Sequence, residues 1–338
     1  MPEPVIDRLL TSSEPSVRWL AHTRVLGEDV DSPRMRRLRD EVARSPRVRR
    51  LLAGRQEDGR VVTHGGPYAK WRGAHWILSA LADIGYPPGD PGLQQMFAQV
   101  LDCWLDRRYF RDADVQTNEE VRHRQAVPVI QGRHRRCASQ QGNALRYLTM
   151  LGCTDGRVGM LAERLLHWQW PDGGWNCDRR PAAQTSSFEE TLLALRGLAV
   201  YGQQHGSVEA LAGAAKATEV FLARRMLFRR ADGTRITAQF GRLHYPRYWR
   251  YDYLGGLQAM VEAGAITDDR CSAALDLLES QRLPHGGWAA LSTFYTTSPG
   301  SRRSLDSVEW GDQGPGRLNE WVTVDALAVL QAAGRLRS

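Results

Sequence analysis

The segment Gln169-Trp170-Pro171-Asp172-Gly173-Gly174-Trp175 decides the fold of this chain. A close copy, Gln-Arg-Leu-Pro-His-Gly-Gly-Trp, stands at 281–288, and a shorter copy, Arg-Gln-Glu-Asp-Gly, stands at 55–59. The copies follow one another at nearly equal intervals. Such an internal period indicates an array of similar units in which each unit packs against the next.

Helical periodicity dominates the sequence between these loops, and no alternating strand pattern stands out. Helices that are apolar on several faces begin near 71, 137, 187, 251 and 319. They alternate with amphipathic, charged helices at 34–52, 91–105, 157–168, 208–227 and 268–279. Helices that are apolar all round are buried, whereas amphipathic ones face solvent on one side. The sequence therefore predicts a single all-α domain over 1–338, an α/α toroid of about five to six helical hairpins in two concentric layers.

Residues 107–131 interrupt the alternation of helices. They are polar and charged and end in the apolar run Val127-Pro128-Val129-Ile130. We interpret them as an irregular insertion, and one hypothesis for its role is a lid over the active site.

The composition is that of a globular chain with a basic balance. Among 338 residues, 45 are Lys or Arg and 38 are Asp or Glu, which gives a formal net charge of +7. This charge favours an anionic partner, but the arginines of 34–50 fit an ordinary solvated helix face, so nucleic acid is not the favoured partner. No apolar run approaches the ~20 residues of a transmembrane helix. Five scattered cysteines and no recognisable secretory signal predict a reduced, cytoplasmic protein.

The Gly-Gly-Trp loops resemble the QW-type repeats of squalene–hopene and oxidosqualene cyclases and the repeats of protein prenyltransferase β subunits. Both groups are α/α toroids, so the resemblance implies that fold over about residues 50–335 and an active site in a central cavity. The acidic motifs of these families are absent. Asp112-Ala113-Asp114-Val115 lacks the third acid of Asp-x-Asp-Asp, Asp268-Asp269 does not continue to Asp-Asp-x-x-Asp, and 187–190 lacks the Asp-x-Cys of the prenyltransferase zinc site.

In a toroid the first turns of the inner helices and the Gly-rich loops converge on one end, where helix N-termini favour anions. The substrate-binding candidates at these positions are Lys70, Trp71, His75, Arg136, Trp249, Tyr251, Asn319 and Trp321. His75 is also explained as a core histidine. The aromatic stretch 244–252 is explained equally by a pocket lining and by packing between repeats.

Carboxylates, a histidine and a tyrosine at the same end predict acid–base chemistry. The catalytic candidates are Asp252, Glu189, Glu190, His244, Tyr248 and Glu320. Glu189 and Glu190 are also explained as compensating the dipole of their helix. A zinc site is predicted from Cys137, Cys177 and Asp178, with ordinary buried thiols as the alternative.

The leading functional hypothesis is an enzyme that acts on an isoprenoid-like or other small substrate by acid–base chemistry, with zinc as the candidate cofactor. A lyase or hydrolase that acts on a saccharide over a Trp platform is the second hypothesis. The third is a binding protein for an anionic ligand or nucleic acid. A closed apolar cavity would favour the isoprenoid substrate, and an open groove with tryptophan would favour the saccharide.

Overall fold

A computed structural model describes residues 4–121 and 125–336, so residues 122–124 of the predicted insertion and the chain ends lie outside the described residues. The α-helices of the described residues are α1 (Pro4–Leu10), α2 (Pro15–Leu20), α3 (Pro33–Ala43), α4 (Pro46–Leu51), α5 (Ala74–Asp83), α6 (Gln94–Trp104), α7 (Asn118–Val121), α8 (Ala138–Met150), α9 (Val158–Trp168), α10 (Phe188–His205), α11 (Val208–Leu222), α12 (Tyr253–Glu262), α13 (Ser272–Ser280) and α14 (Glu320–Ala332). Over those residues, no helix is both long enough and apolar enough to cross a membrane.

The helices form an α/α toroid, and the prediction of this fold class is confirmed. The inner helices α5, α8, α10, α12 and α14 pack each against the next, and α2 with its π-helical continuation Ala21–Val25 packs against α14. Trp19 of α2 lies against Gly85 at the end of α5, where an added Cβ would come within 2.4 Å of the indole. This contact completes the ring of inner helices.

The outer layer consists of helices that precede inner ones in the chain, namely α1, α3, α6, α9, α11 and α13. The difference between the layers follows from sequence pattern. In α8 every residue from Ala138 to Thr149 is buried, whereas α9 buries only one face, formed by Val158, Leu161, Ala162, Leu165 and Trp168. Apolar faces of the outer helices thus cover an inner ring that is buried all round.

The Gly-Gly-Trp loops fasten one hairpin to the next. Trp175 is buried and its indole N–H donates to the Leu165 carbonyl oxygen at 2.9 Å, and the Gln169 amide donates to the Gly213 carbonyl oxygen at 2.8 Å. Gly173 has a φ of 95°, and a Cβ there would meet the Lys216 carbonyl oxygen at 2.3 Å. Glycine is therefore required both by the turn and by the close approach of α11.

The centre of the ring is filled rather than hollow. Arg146 of α8 pairs with Asp83 at 2.7 Å and with Glu262 at 3.1 Å, and Arg196 of α10 pairs with Glu262 at 2.6 Å. The space left among the side chains of the inner helices here is a cavity of about 20 Å³. This position has no room for the active site expected in a central cavity, because charged pairs fill the space among the inner helices.

The insertion at 107–131 contains short regular elements. β1 (Asp112–Asp114) pairs in parallel with β2 (Val127–Ile130), which pairs in antiparallel with β3 (Arg133–His134). A second small sheet joins β4 (Tyr295–Thr296) to β5 (Ser304–Leu305) in parallel. These strands have two to four residues. They are too short to show the alternation that marks a strand in sequence.

Candidate functional site

Two thiols and a carboxylate meet at the end of the ring where the inner helices begin, which we call the mouth. Cys137 immediately precedes α8, Cys177 lies in the loop before α10, and Glu190 is in the first turn of α10. One ligand atom of each residue, Sγ or a carboxylate oxygen, lies within 4.8 Å of the other two. All three side chains are half-buried, so they are held in place and still reach solvent.

The two thiols affect each other's ionisation. The interaction with Cys177 lowers the pKa of Cys137, and the interaction with Cys137 raises the pKa of Cys177. The thiolate is the form that binds metals and attacks electrophiles. Cys137 is therefore the thiol of the pair that ionises first.

Glu190 is fixed by the helix next to its own. Its carboxylate accepts hydrogen bonds from the Ser139 amide at 3.1 Å and the Ser139 hydroxyl at 2.8 Å, in the first turn of α8. Tyr68 lies close enough to Cys137 and Glu190 for their charges to shift its pKa. Burial, followed by the charges of Cys137 and Glu190, raises the pKa of Tyr68 to about 12.

Glu189 faces a second set of groups at the mouth. Burial raises the pKa of the Glu189 carboxyl, and the charge of Glu190 adds to this effect, while Arg250 and His244 act in the opposite direction. A carboxyl group with a raised pKa keeps its proton to a higher pH than an ordinary glutamate does, which suits a general acid. Nε2 of His244 is buried and has no hydrogen-bond partner in the described part of the chain.

A cationic and aromatic patch borders the carboxylates. The Arg250 guanidinium lies 4.5 Å from the centre of the Trp249 ring and 4.3 Å from that of Phe294, and the Lys70 ammonium lies 5.1 Å from the Trp249 ring. Trp249 is half-buried, and its buried indole N–H lacks a partner among the residues described. Burial, and then the charge of Arg250, lower the pKa of Lys70.

Arg136 immediately precedes Cys137, and its guanidinium lies 4.2 Å from the Tyr109 ring centre. Together the candidates that the structure gathers at the half-buried mouth are Arg136, Trp249, Cys137, Cys177, Glu189 and Glu190, with Lys70 exposed at its edge. Two residues that sequence reasoning did not single out, Tyr68 and Arg250, belong to the same region. Their positions could have identified them in the sequence, because each stands just before an inner helix, in a loop that leads to the mouth.

The structure buries several other predicted site residues. Tyr248 donates to Asp306, and its ring stacks on Trp71 at 3.9 Å; the Tyr251 hydroxyl donates to the Met226 carbonyl oxygen at 2.8 Å. The buried group consists of Trp71, His75, His244, Tyr248, Tyr251, Asp252 and Asn319.

His75 and Asp252 are the clearest members of that buried group. The Trp104 indole N–H donates to His75 Nδ1 at 3.1 Å, and burial lowers the pKa of His75 to about 3, so it is neutral. The Asp252 carboxylate accepts from Arg247 Nε at 3.0 Å and from the Gly255 amide at 2.7 Å, where it caps α12. Asp252 therefore has the contacts of a residue that positions its neighbours.

Three further candidates lie apart from the thiols. Asp178 pairs with the Arg180 guanidinium, with a Nε–Oδ1 distance of 3.0 Å, and is not in the group formed by the two cysteines and Glu190. Glu320 accepts a hydrogen bond from the Ser12 hydroxyl at 2.9 Å, and Trp321 stacks on Tyr245. Glu320 and Trp321 line a separate cavity of about 1010 Å³.

Comparisons with known proteins leave the activity open. No family model matches the chain, and no curated protein matches it. The solved structure of unsaturated glucuronyl hydrolase from Bacillus sp. GL1 resembles it with a TM-score of 0.44 and 13% identity, over 94% of this chain and 84% of that chain. A structure of UGL with dGlcA-Glc-Rha-Glc gives a TM-score of 0.42, with the same identity and coverage.

Proposed function

We propose that this protein is a zinc-dependent enzyme that acts on a small anionic substrate at the mouth of the toroid. The observation that carries the proposal is the convergence of Cys137, Cys177 and Glu190, whose ligand atoms lie within 4.8 Å of one another. The three residues come from different loops and helices. Their convergence therefore depends on the fold and not on spacing in the sequence.

The donor set fits zinc. Catalytic zinc sites use three protein ligands drawn from Cys, His and carboxylates and keep a fourth position open. The lowered pKa of Cys137 favours its thiolate, which is the ligating form. Zinc held by these residues would supply Lewis-acid polarisation of a substrate oxygen. Cys177 and Glu190 would complete the set.

The surrounding residues suggest how a substrate would bind. The Arg250 and Lys70 cations, with the N-terminal end of α10, would hold an anionic group. The half-buried Trp249 ring would form an apolar platform under the rest of the molecule. Glu189, whose pKa is raised by burial, would act as the general acid that donates a proton to the substrate.

A saccharide that carries a carboxylate is the second candidate substrate. It is favoured by the Trp249 ring, which lies beside two cations and an acid–base carboxyl group. An isoprenoid substrate is less well supported, because the ring centre holds charged pairs and a cavity of about 20 Å³ instead of an apolar space. The mouth thus favours a polar, charged molecule over a hydrocarbon chain.

Replacement of Cys137 by serine is expected to remove about one equivalent of zinc per chain, since the loss of a thiolate ligand weakens a three-ligand site strongly. Cys103→Ser is the matched control, because Cys103 is a half-buried thiol in α6 away from the group at the mouth. Elemental analysis of both variants after native purification measures the difference. Equal zinc in the two variants would rule out Cys137 as a ligand.

Replacement of Glu189 by glutamine is expected to leave zinc content unchanged and to lower turnover by at least about 100-fold, the scale of a lost general acid or base. The measurement uses chromogenic esters and glycosides that carry a carboxylate or phosphate group. Glu163→Gln, an exposed position on α9, serves as the control. Full activity of Glu189→Gln would contradict the role of Glu189, and no turnover of wild type on either substrate class would reject the proposed substrate chemistry.

A further inference from the structure

A second cluster of metal-binding groups lies on the outside of the ring. Oδ2 of Asp112 lies 2.7 Å from Nε2 of His167 and 3.2 Å from Nε2 of His134. The two imidazole rings are 4.6 Å apart, and the ligand atoms of the three residues all lie within 4.8 Å of one another. None of these residues belongs to the group at the mouth.

Main-chain structure holds two of the three side chains in place. Asp112 is in register with Val127 in the β1–β2 pair, and His134 is in register with Val129 in the β2–β3 pair. The His134 carbonyl oxygen also accepts a hydrogen bond from the Trp170 indole at 2.8 Å. The small sheet thus presents an aspartate and a histidine toward α9 from β1 and β3, the two strands that flank β2.

The third group comes from the scaffold itself. His167 is in the last turn of α9, and its side chain is 41% exposed, while that of His134 is 15% exposed. The cluster therefore joins the insertion to an outer helix at a point that solvent reaches. Nε2 of each imidazole lies near the same carboxylate oxygen, and the buried Nε2 of His134 has no hydrogen-bond partner among the described residues.

We propose that Asp112, His134 and His167 bind a zinc ion that fastens the β1–β3 sheet to α9. Two imidazole nitrogens and a carboxylate oxygen are ordinary zinc ligands. Tetrahedral zinc with bonds of 2.0–2.2 Å needs about 3.3 Å between ligand atoms. The observed nitrogen–oxygen distances of 2.7 and 3.2 Å would have to lengthen by about 0.6 and about 0.1 Å to reach this separation. This site is independent of the proposed function at the mouth.

The location of the ion gives it a structural consequence. The β3 strand ends three residues before Cys137, and α9 ends shortly before the loop that carries Cys177. A metal between β3 and α9 would fix the position from which the chain continues to Cys137 and the position from which it continues to the loop that carries Cys177. Binding of zinc outside the ring therefore stabilises the insertion and the segments that lead to the mouth.

The test titrates Zn²⁺ into the full chain with Cys137→Ser and Cys177→Ser, so that thiols at the mouth do not contribute. Isothermal titration calorimetry is expected to show one bound ion per chain. Thermal unfolding is expected to give a higher Tm with Zn²⁺ than without it. Adding His167→Ala should weaken binding by at least about tenfold. Loss of a residue that only hydrogen-bonds to a metal ligand already weakens binding by that much, and His167 would bind the metal directly. His205→Ala, an exposed histidine at the end of α10, should leave binding unchanged.

Equal affinity in the His167→Ala and His205→Ala chains would overturn the proposal, as would the absence of saturable binding in the double-serine chain. If the double-serine chain loses its helical circular dichroism, Co²⁺ loading of chains with native cysteines decides the question. Two equivalents in wild type and His205→Ala, and one in His167→Ala, support the site. The same number in all three chains contradicts it.

Discussion

Replacing Arg247 with methionine is expected to lower the free energy of unfolding by about 3–5 kcal/mol, the cost of breaking a buried ion pair from one side. The Arg247 guanidinium donates to Asp252 at 3.0 Å, to Asp325 at 2.8 Å and to Gln258 at 2.9 Å. The Asp252 side chain is 0% exposed and that of Asp325 is 6% exposed. Methionine keeps much of the apolar stem and leaves the two carboxylates without this cation in the interior.

Equilibrium unfolding in urea, followed by circular dichroism, measures the change. Arg270→Met is the matched control, because Arg270 is 38% exposed and pairs with Glu219 at 2.8 Å; it should change stability by no more than about 1 kcal/mol. Adding Asp325→Asn to Arg247→Met should recover part of the loss, since one uncompensated charge is removed. Similar effects of the buried and the exposed substitution would show that the network does not stabilise the ring.

Gly197→Ala is the second substitution for which we expect a large effect, a loss of about 3 kcal/mol or more. Gly197 of α10 lies against Gly142 of α8, and an added Cβ would come within 2.3 Å of the Gly142 carbonyl oxygen. The obstacle is backbone, so no side-chain rotation relieves it. The two helices must move apart at their closest approach.

The same separation should affect the mouth, because α8 follows Cys137 and α10 carries Glu190. Gly197→Ala is therefore expected to lose zinc as well as stability. Gly159→Ala in α9 is the control: its added Cβ meets only the Tyr201 hydroxyl, at 3.0 Å, and alanine is the better helix former. Thermal unfolding and zinc content of both variants provide the comparison. Unchanged stability of Gly197→Ala would contradict the close packing of α8 and α10.

Much of the fold could be predicted because its determinants are local. The Gly-Gly-Trp loops and the alternation of fully apolar with amphipathic helices both depend on neighbouring residues. Helix boundaries depended on caps that periodicity does not show. The predicted helix at 34–52 is divided into α3 and α4, because the Ser45 hydroxyl accepts from the Val48 amide and Pro46 begins a new helix.

The candidate site could be predicted only in part, because side-chain direction in loops is not encoded in spacing. Cys137 and Cys177 were placed together from their positions before inner helices, and they do converge. Glu190 was considered for acid–base work and not as a ligand. Asp178 is the carboxylate of the predicted zinc site, but its side chain turns to Arg180, two residues away.

The charged pairs that fill the ring centre could not be predicted from the sequence, for a related reason. Asp83, Arg146, Glu262 and Asp325 stand on inner helices that otherwise look apolar, and each of these charges is satisfied by a partner far away in sequence. Sequence shows a lone charge in an apolar helix, and only the closed ring shows its partner. Buried charges of this kind imply pairing, but they do not identify the partner.

X-ray absorption at the zinc edge tests the central claim most directly, on native-purified protein that carries His134→Ala and His167→Ala so that only the mouth contributes. We predict a zinc shell with two sulfur ligands at about 2.3 Å and oxygen or nitrogen at about 2.0–2.2 Å. The sulfur atoms would be those of Cys137 and Cys177. A shell with no sulfur, or protein that holds no zinc, would contradict a zinc site at the mouth.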